Sequence, residues 1–160
     1  MITPQRSNTP LRKYPHLVAS DILIWDVWIR LYGHHFEGFS YDIHVGEGLA
    51  PDKRAPYPIQ QMWTTLTQKR IDVVGFRPTE LWLIEVKDRA TVATLGQILS
   101  YLHLFNIQYR PVRLTRPVII AGSIEPDIET ILSHYCITWY DLSDGRFSFP
   151  DPHNAPKLQS

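Results

Sequence analysis

Residues 81–87 read Leu-Trp-Leu-Ile-Glu-Val-Lys, and no other segment so narrows what the chain can become. A short apolar run of this kind is a buried strand, far below the length of a membrane span. Side chains alternate along a strand, so Glu85 and Lys87 share one face and Val86 takes the other. Charges in such a strand are costly unless they are paired or placed at a site. The fold must therefore bury this strand in a sheet while giving a carboxylate and an ammonium somewhere to act.

The flanking sequence supplies the sheet. Lys69–Phe76 alternates as a second strand, with Asp72 between Ile71 and Val73, and the turn Arg77–Glu80 joins the two as a hairpin. In that hairpin Asp72 can lie beside Glu85 near one end. Residues 91–105 follow as a helix with Thr91 as cap and Val92, Leu95, Leu99 and Leu102 as the packing stripe. Upstream, residues 20–32 form a helix with Ser20 as N-cap and Asp21 at its positive end. Ile22, Trp25, Ile29 and Tyr32, with Trp28 beside them, give it an aromatic face; Asp26 and Arg30 can pair on another, and Gly33 ends it. Tyr41, Ile43 and Val45 alternate with Asp42 and His44 as a strand, followed by a turn at residues 45–48 and a proline-rich loop over 50–60. A buried strand at 116–122, a helix at 125–135 opened by Pro126 and a strand at 137–142 complete the order.

That order, helix, three strands, helix, strand, helix, strand, predicts an α/β domain with a mixed β-sheet flanked by helices. Its extent is 20–148, preceded by a polar arm at 1–19 and followed by a proline-rich tail at 149–160. A chain of 160 residues suits one domain. Lysine plus arginine equals aspartate plus glutamate at 16 each, so attraction to nucleic acid must come from a local patch. Cys136 is the only cysteine, which excludes an internal disulfide and a cysteine zinc site. With no apolar leader and no run of ~20 apolar residues, a cytoplasmic protein without a membrane partner is expected.

Asp72, Glu85 and Lys87 form a chemically coherent set. Carboxylates are hard oxygen ligands for Mg²⁺, which keeps several waters and takes substrate phosphate oxygens. Such an ion polarises a phosphate and lowers the pKa of its bound water. A lysine on the same face can orient or deprotonate that water, or stabilise the charge that develops. Glu-x-Lys alone is a common tripeptide, better explained by an ion pair on an edge strand with Asp72 capping a turn. Here an aspartate 13 residues upstream, the apolar setting and the helix that follows favour a site.

The segment from Arg70 to Phe105 resembles the PD-(D/E)XK nuclease superfamily. The resemblance implies a restriction-endonuclease-like fold (an αβββαβ core, here with a further helix and strand) and hydrolysis of phosphodiester bonds, in DNA before RNA. Asp72 matches the motif aspartate, Glu85 the acidic residue and Lys87 the lysine, with Ile71 where proline often stands. Gln97 and Tyr101 resemble the Q…Y pair of the RecB-like branch, where the glutamine organises the site and the tyrosine lies towards DNA. By the same resemblance Asp72, Glu85 and the Val86 carbonyl would bind Mg²⁺, with Mn²⁺ as substitute, and a homodimer or larger assembly would be in keeping. Many members add an upstream carboxylate, for which Asp21, Asp26, Glu37, Asp42 and Glu47 are the candidates. The alternative is an inactive nuclease fold serving nucleic-acid binding or a viral or mobile-element assembly.

Other features are weaker. Arg110, Arg113 and Arg116 near Tyr109 suit a nucleic-acid backbone or a solvated surface equally; Lys53, Arg54, Lys69, Arg70 and Arg77 form a second basic group. His34, His35 and Glu37 read as a polar loop rather than a metal cluster, and Gly46 and Gly48 as a turn rather than a phosphate cradle. Trp25, Trp28 and Trp82 read as core. Neither Ser123 nor Cys136 has a base partner in view, so covalent catalysis is unsupported.

Overall fold

The computed structural model describes residues 2–147. Helix α1 spans Ala19–Tyr32 and strand β1 Gly38–Val45, joined by a short 3₁₀ turn. Then come α2 (Tyr57–Thr67), the hairpin β2 (Lys69–Phe76) and β3 (Glu80–Ala90), α3 (Val92–Tyr109) and β4 (Leu114–Ile124). Helix α4 (Pro126–His134), β5 (Thr138–Asp141) and the two-residue β6 (Arg146–Phe147) complete the order. The strands make one open six-stranded sheet in the order β1-β2-β3-β4-β5-β6. It is mixed: β1, β2 and β3 pair antiparallel, β4 is parallel to β3 and β5, and β6 is antiparallel. The expected α/β class, a mixed sheet flanked by helices, is what the chain adopts.

Each face of the sheet buries its own core. Trp25, Trp28 and Ile29 of α1 pack with Phe39, Tyr41, Val73, Trp82, Ile84, Val86, Val118 and Ile120 on one face. Ile98, Tyr101 and Phe105 of α3 pack with Val74, Leu81, Leu83, Ile119 and Ala121 on the other. The strict alternation of β3 thus sends Val86 to α1 and Glu85 to α3. Alternation reverses in β1 and β2, where Ile43, Val45 and Ile71 join the α3 side. Asp42, opposite Asp72 in the register, takes a left-handed backbone with φ of 60°, and both strands change face there. Pro117 fits within β4 because β5 pairs only from Val118 onward, leaving no ladder bond for Pro117 to miss.

Several expectations need correction. Helix α1 starts one residue early with Val18 as N-cap, so Ser20 lies inside the first turn. Asp26 accepts the Tyr14 hydroxyl at 2.6 Å instead of pairing with Arg30. Gly33 does end α1, but with φ of −57°. Its lack of a side chain matters because a Cβ there would lie 2.5 Å from the Asn8 carbonyl oxygen. Within the expected arm, Arg6 bridges Phe39, and Tyr14 and Leu17 are buried against α1. Residues 57–60, expected as loop, open α2, where Pro58 stands in the first turn and costs no hydrogen bond. In α3 the buried side chains are Thr94, Ile98, Tyr101 and Phe105, while Val92 and Leu99 are exposed. The expected stripe is rotated because α3 is apolar nearly all round. The tail at 149–160 lies outside the described residues. Among those described, no helix is long and apolar enough to cross a membrane.

Candidate metal centre

Pairing of Val73 with Ile84 fixes the hairpin register and sets Asp72 opposite Glu85. Adjacent antiparallel positions lie about 5 Å apart, so the carboxylates meet across the rung. The regular ladder gives way there: the Val86 N–H donates to Asp72 Oδ2 at 2.9 Å. That bond fixes the Asp72 side chain at the sheet end. Glu85 is 1% exposed. Its Oε1 accepts from Lys87 Nζ at 2.9 Å; its enclosed Oε2 accepts no hydrogen bond among the described residues, and the carboxyl lies close enough to Asp72 for the two to share a proton. Lys87 is partly exposed, so the group opens to solvent on its side.

Burial, and then the neighbouring charge of Asp72, push Glu85 up to about 8. Asp72 is also raised, by burial first; the Val86 N–H and Lys87 oppose this, and Asp21 adds to it. Burial pushes the Lys87 ammonium down, but Glu85, Asp72 and Asp21 outweigh it and the net shift is upward. The centre is therefore a buried carboxyl pair whose ionisation is held back by burial and by mutual repulsion, with one lysine as its counter-ion. An ionised carboxylate pair in such a place is costly, and that cost is what a proton or a hard cation would relieve. Among the described residues no three His, Cys, Asp or Glu side chains converge as a closed metal cage. Two carboxylates fit an ion that keeps most of its waters, as Mg²⁺ does.

The other expected residues are distributed unevenly. Gln97 and Tyr101 lie one turn apart on α3, with Gln97 Nε2 3.4 Å from the Tyr101 hydroxyl. Tyr101 is 6% exposed, so its ring is part of the core rather than an open surface. Burial, then the charges of Glu85 and Asp72, raise its hydroxyl, which places it beside the pair. Asp21, read from sequence as a helix-dipole residue, is buried and reaches the same end of the sheet. Its Oδ1 accepts the Asp88 N–H at 2.9 Å, clamping the strand just past Lys87. Of the upstream carboxylates it is the one whose charge acts on both Asp72 and Lys87. Glu37 pairs with Arg113 and Asp42 with Arg70.

Gly122 stands opposite Asp88 on β4, and a Cβ there would meet the Asp88 carbonyl oxygen at 2.7 Å. Backbone cannot yield cheaply, so Gly122→Ala is expected to cost about 1–3 kcal/mol. The check is chemical denaturation of the variant beside the wild type.

The arginines expected to hold nucleic acid are elsewhere. Arg113 donates to Glu37 and to the Arg77 carbonyl, both beside the β2–β3 turn. Arg116 is bonded to Glu80, the first residue of β3, on the α1 face. Lys87 lies roughly 20 Å farther along the same strand and on the opposite face. Arg110 is exposed and caps the far end of α3. In the second basic group, Arg54 pairs with Asp52 and Arg77 with Glu80. No protein-family model, curated protein or solved structure matches the chain significantly.

Proposed function

We propose that the chain is a divalent-metal-dependent nuclease of the restriction-endonuclease-like fold that hydrolyses phosphodiester bonds, in DNA before RNA. One observation carries the reading: Asp72 and the enclosed Glu85, whose Oε2 accepts no hydrogen bond, brought together at one point of the sheet with Lys87 on the same face as Glu85. Asp72, Glu85 and the Val86 carbonyl would hold Mg²⁺ or Mn²⁺, which supplies phosphate polarisation and an acidified water. Lys87 has a role that follows from its surroundings. Burial presses it towards the neutral amine, and the carboxylates keep it protonated. Were those carboxylates to hold a cation, that support would weaken, and Lys87 would be placed to orient an attacking water and take its proton. Gln97 and Tyr101 wall the pair from the α3 side and hold its geometry. Asp21 keeps Asp88, and so the strand carrying Lys87, in place.

A second reading, an inactive module of the same fold, draws support from the ion pairs that occupy Arg113 and Arg116 and from the neutral net charge. Titration of Mg²⁺ and of Mn²⁺ with plasmid, single-stranded DNA and RNA, beside Asp72→Ala, separates the two. Cleavage by the wild type, reduced at least about 100-fold in Asp72→Ala, is the expected outcome. Absence of both cation binding and cleavage on every substrate would favour the module.

A further inference from the structure

Helix α2 contributes no side chain to either core. Its sequence nonetheless has a packing face. Ile59, Met62, Trp63 and Leu66 follow the i, i+3, i+4, i+7 spacing of one helical stripe, and they are between 46% and 66% exposed. Gln60, Gln61, Thr64, Thr65 and Gln68 occupy the opposite side, where with Pro51 and Tyr57 they line a groove of about 530 Å³. An isolated helix of 11 residues is marginal in water, and its stability normally comes from the apolar face it buries. Here polar bonds to the preceding loop hold the helix: Gln60 Nε2 donates to the Ala55 carbonyl at 2.7 Å and Leu49 N–H to Thr67 Oγ1 at 2.8 Å. The helix is thus presented outward with its apolar stripe uncovered.

We propose that this stripe pairs with the α2 stripe of a second copy of the chain, as two antiparallel helices about a two-fold axis. No charged residue lies anywhere in Tyr57–Thr67, which leaves nothing to attract a phosphate backbone or an anionic lipid surface. An identical uncharged stripe is complementary to itself. The four side chains present on the order of 400 Å², about half of what each side of a stable interface contributes, and the flanking loop can add to it. Met62 of each copy then meets Trp63 of the other beside the axis, and Ile59 of each copy faces Leu66 of the other. Thr67 is only five positions before Asp72, so such pairing would bring two carboxylate centres into one particle. The pairing stands on α2 alone and does not require the nuclease reading.

The register makes it testable with the full chain. In sedimentation velocity from about 1 to 100 μM, the wild type is expected to form dimers. Ile59→Glu and Leu66→Lys are each expected to dimerise on the order of 100-fold more weakly, with unchanged circular dichroism because both positions are exposed. Mixing the two variants is expected to restore a dimer, since the carboxylate introduced in one copy then faces the ammonium introduced in the other. Lys53 and Lys69 flank the stripe, so wild-type association should tighten with salt. A wild type that stays monomeric throughout would overturn the proposal. So would a dimer of undiminished affinity in both single variants, failure of the mixture to recover it, or association that weakens with salt.

Discussion

Lys87→Ala is expected to lower phosphodiester cleavage by about 10³-fold or more while leaving the chain folded. The side chain is placed to act, on the same face as Glu85 and 2.9 Å from its Oε1. In the proposed nuclease its loss would remove the positive charge that serves both the reacting water and the charge that develops on phosphate. The fold should survive because Lys87 is partly exposed and Glu85 can hold a proton in its absence. Removing a counter-ion from buried carboxylates still has a cost, expected at about 1–3 kcal/mol at neutral pH and recovered as the pH falls. Arginine should not rescue activity, because its guanidinium does not give up a proton. Single-turnover cleavage beside thermal melts checks both halves. Wild-type cleavage in the folded alanine variant would end the assignment of Lys87.

The second large effect concerns stability rather than rate. Glu85→Gln is expected to stabilise the metal-free protein above pH 8 by about 3–5 kcal/mol. The sign follows from proton counting. The folded protein keeps a proton on Glu85 up to about pH 8, whereas the unfolded chain releases it near the ordinary value of 4.5. Between those values the folded state binds more protons, so stability falls as pH rises. The contribution of Glu85 is full below pH 4.5 and lost above about pH 8. Glutamine has no proton to lose, so the variant's stability should decline less through that window than the wild type's. Denaturant midpoints from about pH 4 to 9 without divalent cations make the comparison. Parallel pH profiles for wild type and variant would show that Glu85 is an ordinary surface-like carboxylate.

Both effects trace to residues whose placement could be read from the chain. A strand has a strict two-residue period, so Glu85 and Lys87 had to share a face. A short turn left Asp72 little choice but to lie near Glu85. The same certainty does not extend to helices. In α3, Val92, Leu95, Leu99 and Leu102 compete with Ile98, Tyr101 and Phe105, and only the sheet beneath decides which stripe is buried. Tyr101 accordingly lies in the core beside the carboxylates. In α2, Pro56 and Pro58 suggested a loop, although proline in a first turn is compatible with a helix and Ile59, Met62, Trp63 and Leu66 carried the helical period. Long-range partners left no local trace. Nothing near Asp21 in sequence announces Asp88, 67 residues away, as its hydrogen-bond partner. Likewise Arg113 and Arg116 read as a basic patch because Glu37 and Glu80, which neutralise them, lie 76 and 36 residues distant.

The central claim is that Asp72 and Glu85 together hold one divalent cation. It is tested most directly by calorimetric titration of Mg²⁺ into the metal-free protein at about pH 7, in buffers of different ionisation enthalpy. Because Glu85 still carries its proton at that pH, binding is expected to be saturable and to release about one proton per ion. Binding should be lost in Asp72→Ala, and proton release should disappear in Glu85→Gln. A titration with no saturable heat, or with proton release unaltered in Glu85→Gln, would contradict it.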